Sequence, residues 1–131
     1  MNFVKMHKHP FLHELYTIYD TSNQSMYILG SFFSDIGNRQ DLIYFFENWP
    51  FDENESDCIN TNATCIEKED RLIYLTSSIP GDDGYDNTAL IMTYQQFSEL
   101  MHNWQEKVCK SKPEEIMITY DNNQFNLETK E

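Results

Sequence analysis

Residues 93–120 read TYQQFSELMHNWQEKVCKSKPEEIMITY, and this stretch decides the fold because it encodes a complete helix followed by a strand. Thr93 and Gln96 match a capping box, in which a hydroxyl and an amide satisfy free N–H groups of the first helical turn. Apolar side chains then recur at helical spacing along one face, and a proline ends the helix. The predicted amphipathic helix covers about residues 94–110, and a strand over residues 116–120 follows it.

The N-terminal third predicts one more helix. Apolar residues recur at one-turn spacing between Phe11 and Tyr19, which favours an amphipathic helix in that segment. Turn-forming residues at 20–23 end it. Residues 42–46 are apolar throughout, so periodicity leaves a buried strand and a short helix both open there.

The remaining elements are predicted as strands and loops. Residues 50–65 predict a loop with a short edge strand near Cys58 or Cys65, and residues 80–84 combine strong helix and strand breakers in a second loop. The other predicted strands, which are rich in apolar and β-branched residues, are 26–33, 71–76, 89–92 and 125–127.

These elements predict the α+β class. The expected architecture is one domain over residues 1–131, with a mostly antiparallel sheet on which an N-terminal helix and the central amphipathic helix pack. No apolar run approaches the ~18 residues that cross a bilayer, and the first ten residues lack the continuous apolar stretch of a secretory signal. We therefore expect a soluble cytoplasmic protein.

Charge is the strongest compositional signal. The chain has 22 Asp and Glu against 9 Lys and Arg, which gives a formal net charge of −13. Residues 51–90 hold most of this negative charge. Such a surface repels phosphate backbones and anionic membranes, so we expect neither direct nucleic-acid binding nor membrane adsorption. A basic protein partner is the natural complement.

No residue pattern indicates catalysis. The chain has 4 glycines and no glycine-rich motif that cradles phosphate. The acids that begin at Asp52 resemble a calcium-binding loop, but its sixth and twelfth positions hold Asp57 and Ala63 instead of Gly and Glu. We therefore expect a protein that is not an enzyme, with no catalytic residue and no cofactor.

The histidines give the main argument for a metal. His7, His9 and His13 lie close to Glu14, and histidine is the commonest metal ligand, so a small acidic hydrolase or metal-binding enzyme is an alternative. A metal site needs convergent ligands on fixed elements, whereas a chain terminus frays. The expectation is therefore that the protein binds no metal.

The cysteines predict no disulfide. Cys58, Cys65 and Cys109 are odd in number, contain no close pair and lack the spacing of a zinc site. Reduced thiols are the default for a cytosolic protein, and we expect them here.

Two acidic segments with neighbouring aromatics predict a binding surface. Trp49 and Phe51 adjoin the first segment, although Trp49 is more readily explained as a core residue. Aromatic side chains provide binding energy when they are buried at an interface, and carboxylates steer and bond Lys and Arg of the partner. The predicted partner-binding residues are Asp52, Glu53, Glu55, Asp57, Asp82, Asp83, Tyr85 and Asp86.

The order of elements resembles a known group of proteins. An apolar strand ending in Tyr74-Leu75-Thr76 precedes the acidic turn Asp82-Asp83-Gly84, a helix containing Trp104, and the segment Lys112-Pro113-Glu114-Glu115-Ile116-Met117-Ile118. This pattern, over about residues 70–123, resembles the bacterial immunity proteins of contact-dependent growth inhibition and related polymorphic toxin systems. The most similar group is the one that neutralises ribonuclease toxins.

The resemblance implies a protein without catalysis of its own. Such a protein binds the basic C-terminal nuclease domain of its cognate toxin and blocks it inside the producing cell. A third class also fits the charge, namely a nucleic-acid mimic that inhibits a DNA-binding protein. A toxin gene directly upstream would separate the immunity protein from both alternatives.

Overall fold

The computed structural model describes residues 2–78 and 89–131 and contains two antiparallel sheets with three α-helices. In these two ranges, no helix has the length and apolar character that a membrane crossing requires. The strands are β1 (Asn2–Lys8), β2 (Tyr16–Thr21), β3 (Cys58–Asn60), β4 (Thr64–Glu69), β5 (Leu72–Ser77), β6 (Leu90–Thr93), β7 (Glu115–Asp121) and β8 (Gln124–Lys130), and the helices are α1 (Gln24–Ile36), α2 (Gln40–Asn48) and α3 (Tyr94–Trp104).

The two sheets have four strands each. Their orders are β2-β1-β7-β8 and β3-β4-β5-β6, and every neighbouring pair is antiparallel. The predicted α+β class is therefore confirmed, with two antiparallel sheets instead of one. The second sheet is a simple meander, which brings residues that are close in sequence onto neighbouring strands.

The core lies where the helices meet both sheets. Helices α1 and α3 each contact strands of the two sheets. Phe33 of α1 stacks on Trp104 of α3 with ring centroids 4.0 Å apart, and the indole Nε1 of Trp104 donates to the Gly37 carbonyl at 2.7 Å. Trp104 thus satisfies its polar atom while its ring is fully buried, as a core tryptophan requires.

The central helix is confirmed as predicted. Thr93 Oγ1 accepts from Gln96 N at 3.0 Å, and Gln96 Oε1 accepts from Thr93 N at 2.8 Å, which completes the capping box. Residues 105–109 continue α3 as one π-helical turn, so the helical segment ends close to the predicted residue 110. The predicted strands at 71–76, 89–92, 116–120 and 125–127 correspond to β5, β6, β7 and β8.

The predicted helix between Phe11 and Tyr19 is wrong. Phe11 and Leu12 lie in an exposed loop, with 85% and 56% of their surfaces accessible. Residues from Tyr16 onward form β2, which pairs with β1 in antiparallel register. The local apolar spacing is helical, but backbone pairing with a strand that precedes it in sequence gives the segment an extended conformation.

The predicted strand at residues 26–33 is also wrong, because this segment belongs to α1. Asn23 caps the helix by accepting from Met26 N at 2.9 Å. Gly30 gives α1 room against the sheet, since a Cβ at this position would lie 2.7 Å from both Val4 Cγ2 and Ile18 Cδ1. Gly30 therefore permits close packing of α1 on the sheet.

The structure also assigns the two segments whose secondary structure the sequence leaves undecided. Residues 42–46 lie within α2, and the region around Cys58 and Cys65 forms two strands, with β3 at the sheet edge. The predicted loop at residues 80–84 lies outside the described residues.

Candidate functional site

The first acidic segment forms an exposed loop between α2 and β3. Glu53, Glu55 and Asp57 are exposed, and Asp52 is half-buried. The Asp52 carboxylate accepts from Asn54 N at 2.9 Å, which stabilises a turn at this point of the loop. All four predicted carboxylates of this segment therefore lie on one short stretch of backbone.

Lys68 lies on the buried side of this acidic loop and bonds its backbone. Its Nζ donates to the Trp49 carbonyl at 2.7 Å and to the Asp52 carbonyl at 2.8 Å, and lies 4.7 Å from the centroid of the Trp49 ring. Only 7% of Lys68 is exposed, so these contacts are shielded from water. A buried ammonium group that is bonded to two carbonyls fixes the path of the backbone between them.

Trp49 fixes the other side of the loop. Its ring is buried, as expected for a core residue, and packs edge-on against Phe46 and Phe97. Its Nε1 donates to the Ser56 carbonyl at 2.8 Å, which joins the beginning of the loop to its end. Lys68 and Trp49 together bond the backbone at the beginning, the middle and the end of the acidic loop.

Exposed aromatic side chains lie next to these carboxylates. Tyr44 and Phe45 of α2 are 63% and 38% exposed, and Phe51 is 54% exposed with its ring edge-on to Tyr94. Sequence reasoning missed Tyr44 and Phe45 because residues 42–46 had no assigned periodicity. A helical assignment places them on the outer face, opposite the buried Ile43 and Phe46.

Two adjacent depressions join the aromatics and the acids into one surface. Tyr44, Phe45 and Glu55 line the first depression, Phe51 and Asp57 line the second, and Asp52 lines both. We call this region the acidic-aromatic surface and define it by Asp41, Tyr44, Phe45, Phe51, Asp52, Glu53, Glu55 and Asp57.

Carboxylates outnumber basic groups on this surface, although Lys68 and Arg71 also line the second depression. Residues 41–57 contain six carboxylates and no Lys, Arg or His. Within the described parts of the chain, Asp52, Glu53, Glu55 and Asp57 form no ion pair with a basic side chain. Carboxylates that repel one another and lie beside exposed rings favour a cationic partner.

The second acidic segment, residues 82–86, is not among the residues that the structure describes. Asp82, Asp83, Tyr85 and Asp86 lie outside the described residues, and their role in partner binding stays a prediction.

The N-terminal histidines have separate local roles. His9 Nδ1 accepts from Phe11 N and Leu12 N at 3.2 and 2.9 Å, and the His7 ring stacks on Tyr19. His13 Nε2 lies 3.1 Å from the Pro10 carbonyl. Among the described residues, these imidazoles form no cluster that could hold a metal ion.

Two cysteines that are separated in the sequence lie close together in the structure. Strands β3 and β4 bring Cys58 Sγ and Cys65 Sγ to 3.6 Å, with both thiols free. Burial and the neighbouring Cys58 and Glu67 raise the pKa of Cys65 to about 11. Cys109 is separate and buried, and burial raises its pKa to about 11 as well.

Comparison with known proteins finds no match among protein-family models, curated proteins or solved structures. A function for this chain is therefore argued from the charges, side chains and contacts of its own residues. Two arrangements stand out, namely the acidic-aromatic surface and the Cys58–Cys65 pair.

Proposed function

We propose that this protein is an immunity protein of a contact-dependent growth inhibition system, which binds and neutralises the basic ribonuclease domain of a cognate toxin. The observation that carries the proposal is the acidic-aromatic surface, where exposed rings adjoin carboxylates that outnumber the basic side chains beside them and form no ion pair among the described residues. The resemblance of residues 70–123 to such immunity proteins supports the same class.

The chemistry of the surface suits a cationic cleft. A nuclease domain that holds RNA presents Lys and Arg, and carboxylates occupy the same positions that phosphates would occupy. Tyr44, Phe45 and Phe51 supply apolar area that becomes buried on binding, and Tyr94 supports the Phe51 ring. Aromatic anchors beside charged groups are the usual source of hot-spot energy.

The rigidity of the loop strengthens the interaction. Lys68 and Trp49 hold the backbone of residues 49–57 through three hydrogen bonds to carbonyls at 2.7–2.8 Å. Ordering a loose loop costs free energy on association, so a loop that is already fixed binds more tightly. The protein then acts by occupying the nuclease surface in a one-to-one complex, without turnover.

The test uses the nuclease domain of the toxin that the proposal expects to be encoded beside the gene for this chain. The variant Asp52→Asn/Glu53→Gln/Glu55→Gln/Asp57→Asn removes four charges and keeps the acceptor of the Asp52 turn. We expect binding to weaken by at least about 100-fold, because a charged partner that is lost from a desolvated interface costs roughly 2–5 kcal/mol.

A matched control separates location from net charge. The variant Glu14→Gln/Asp20→Asn/Asp121→Asn/Glu128→Gln also removes four exposed carboxylates, but from the first sheet and the loops beside it. We expect it to bind with nearly the native affinity and to protect cells against the toxin. Equal losses in the two variants, or a genome without an adjacent toxin gene, would contradict the proposal.

A further inference from the structure

Three potential metal ligands lie on one face of the β3–β4 hairpin. Cys58 pairs directly with Glu67 across the two strands, and Cys65 lies two residues before Glu67 on β4. Because side chains alternate along a strand, directly opposite residues and residues two apart share a face. The opposite face of β4, with Ile66 and Lys68, is buried, so the three ligands face outward.

Two of the three distances between their donor atoms match a tetrahedral site, and the third is within reach of one. Cys58 Sγ and Cys65 Sγ are 3.6 Å apart, and Cys65 Sγ and Glu67 Oε1 are 3.7 Å apart. All three donor atoms lie within 4.8 Å of one another. In a tetrahedral site with zinc–sulfur bonds of about 2.3 Å and zinc–oxygen bonds of about 2.1 Å, neighbouring ligand atoms are roughly 3.5–3.8 Å apart.

A disulfide fits this geometry less well. Cys65 pairs with Asn60, so Cys58 and Cys65 are diagonal neighbours and not directly opposite. Diagonal Cα atoms on antiparallel strands are about 7–8 Å apart, whereas disulfides join Cα atoms at about 4.4–6.8 Å. A metal ion bridges the wider separation without movement of the backbone.

We propose that Cys58, Cys65 and Glu67 bind one thiophilic divalent cation, of which Zn²⁺ is the natural example. Two thiolates and one carboxylate supply three tetrahedral positions, and water takes the fourth. Binding forms two metal–sulfur bonds and releases the two thiol protons to solvent.

The hairpin is held in place before any metal binds. Asp35 Oδ2 accepts from Thr61 Oγ1 at 2.6 Å and from Ala63 N at 2.9 Å, which ties the turn of the hairpin to α1. Ser56 Oγ accepts from Cys58 N at 3.3 Å at the other end. The ligands therefore lie on fixed strands, as metal binding requires.

The test is a titration of the reduced, metal-free protein with Co²⁺, followed by displacement with Zn²⁺. We expect one Co²⁺ per chain, with thiolate-to-cobalt charge-transfer bands and the intense visible bands of a tetrahedral site. Cys58→Ser and Cys65→Ser will each weaken binding by at least about 100-fold, since even outer-shell groups contribute about 10–100-fold. Glu67→Gln will weaken it less.

Cys109→Ser is the matched control, because Cys109 is a buried thiol outside this cluster. It will bind Co²⁺ as the native protein does. Two outcomes would overturn the proposal: reduced protein that shows no thiolate–cobalt bands, or bands that persist in both Cys58→Ser and Cys65→Ser. Circular dichroism of each variant checks that loss of binding is not loss of folding.

Discussion

Lys68 connects the core to the acidic loop through one side chain. It is a buried cation beneath the acidic loop, and its ammonium group is bonded to the carbonyls of Trp49 and Asp52. Desolvation of a lysine is unfavourable. The two charge-assisted hydrogen bonds and the contact with the Trp49 ring offset this cost. The same contacts present the carboxylates of the loop to solvent.

Replacement of Lys68 by Met will therefore destabilise the protein. Two carbonyls lose their donor, and we expect the free energy of unfolding to fall by about 2–4 kcal/mol. Lys110→Met is the control, because the Lys110 side chain is exposed and, among the described residues, bonds Glu106 alone, so its loss will change the free energy of unfolding far less. Urea unfolding measures both, and similar losses would show that Lys68 is not an anchor.

Cys109 predicts how stability depends on alkaline pH. Burial raises its pKa from 9.0 to about 11 in the folded protein. The unfolded chain loses this proton at lower pH than the folded chain, so stability from this group is complete below pH 9.0 and falls as pH rises to about 11.

The measurement is the slope of unfolding free energy against pH in that range. Cys109→Ala will have a shallower slope than the native protein, even though its absolute stability is lower. The raised pKa of Cys65 contributes a decline that both proteins share. Identical slopes would show that the Cys109 thiol ionises equally in the folded and unfolded states.

At the scale of elements, α3 is the helix that depends most on its own sequence. The capping box joins Thr93 and Gln96 reciprocally, and Gln96 Nε2 also donates to the Asn123 carbonyl at 2.8 Å. The start of α3 is thereby connected to the β7–β8 turn, and a local sequence signal also positions two distant elements.

Thr93→Ala will lower the free energy of unfolding by about 1 kcal/mol, because the first turn loses its side-chain acceptor. Thr93→Ser keeps a hydroxyl acceptor at the same position and will retain most of the stability. Chemical denaturation of both variants gives the difference. If the serine variant lost as much as the alanine variant, the β-branched methyl group and not the cap would explain the effect.

The misassigned elements show where local signals are insufficient. Met26, Leu29, Phe33 and Ile36 of α1 are buried at helical spacing, yet the apolar run over residues 26–33 predicts a strand that Gly30 interrupts. Conversely, Tyr16–Thr21 forms a strand although its apolar spacing is helical. In both cases packing between α1, β1 and β2 determines the conformation, and a short window of sequence contains no information about that packing.

At the scale of the whole molecule, the net charge of −13 makes the proposed binding of a basic partner dependent on salt. We expect the association rate with the basic nuclease domain to fall steeply as ionic strength rises, because salt screens charges beyond about 10 Å at 0.1 M. Stopped-flow measurements from low to high salt test this. An association rate that does not change with ionic strength would exclude electrostatic steering. The dissociation rate depends mainly on the desolvated contacts.

The sequence alone determined the α+β class, α3 with its cap, the strands of the C-terminal half and the acidity of the 52–57 loop. Each of these follows from local periodicity, turn chemistry or charge, which are properties of consecutive residues. Only the tertiary structure decided that α1 is helical, that Tyr44 and Phe45 adjoin the acids, that Lys68 lies beneath them, and that Cys58 and Cys65 meet. These features depend on strand register and on packing between elements that are distant in sequence, and such long-range contacts leave no periodic signal in the chain.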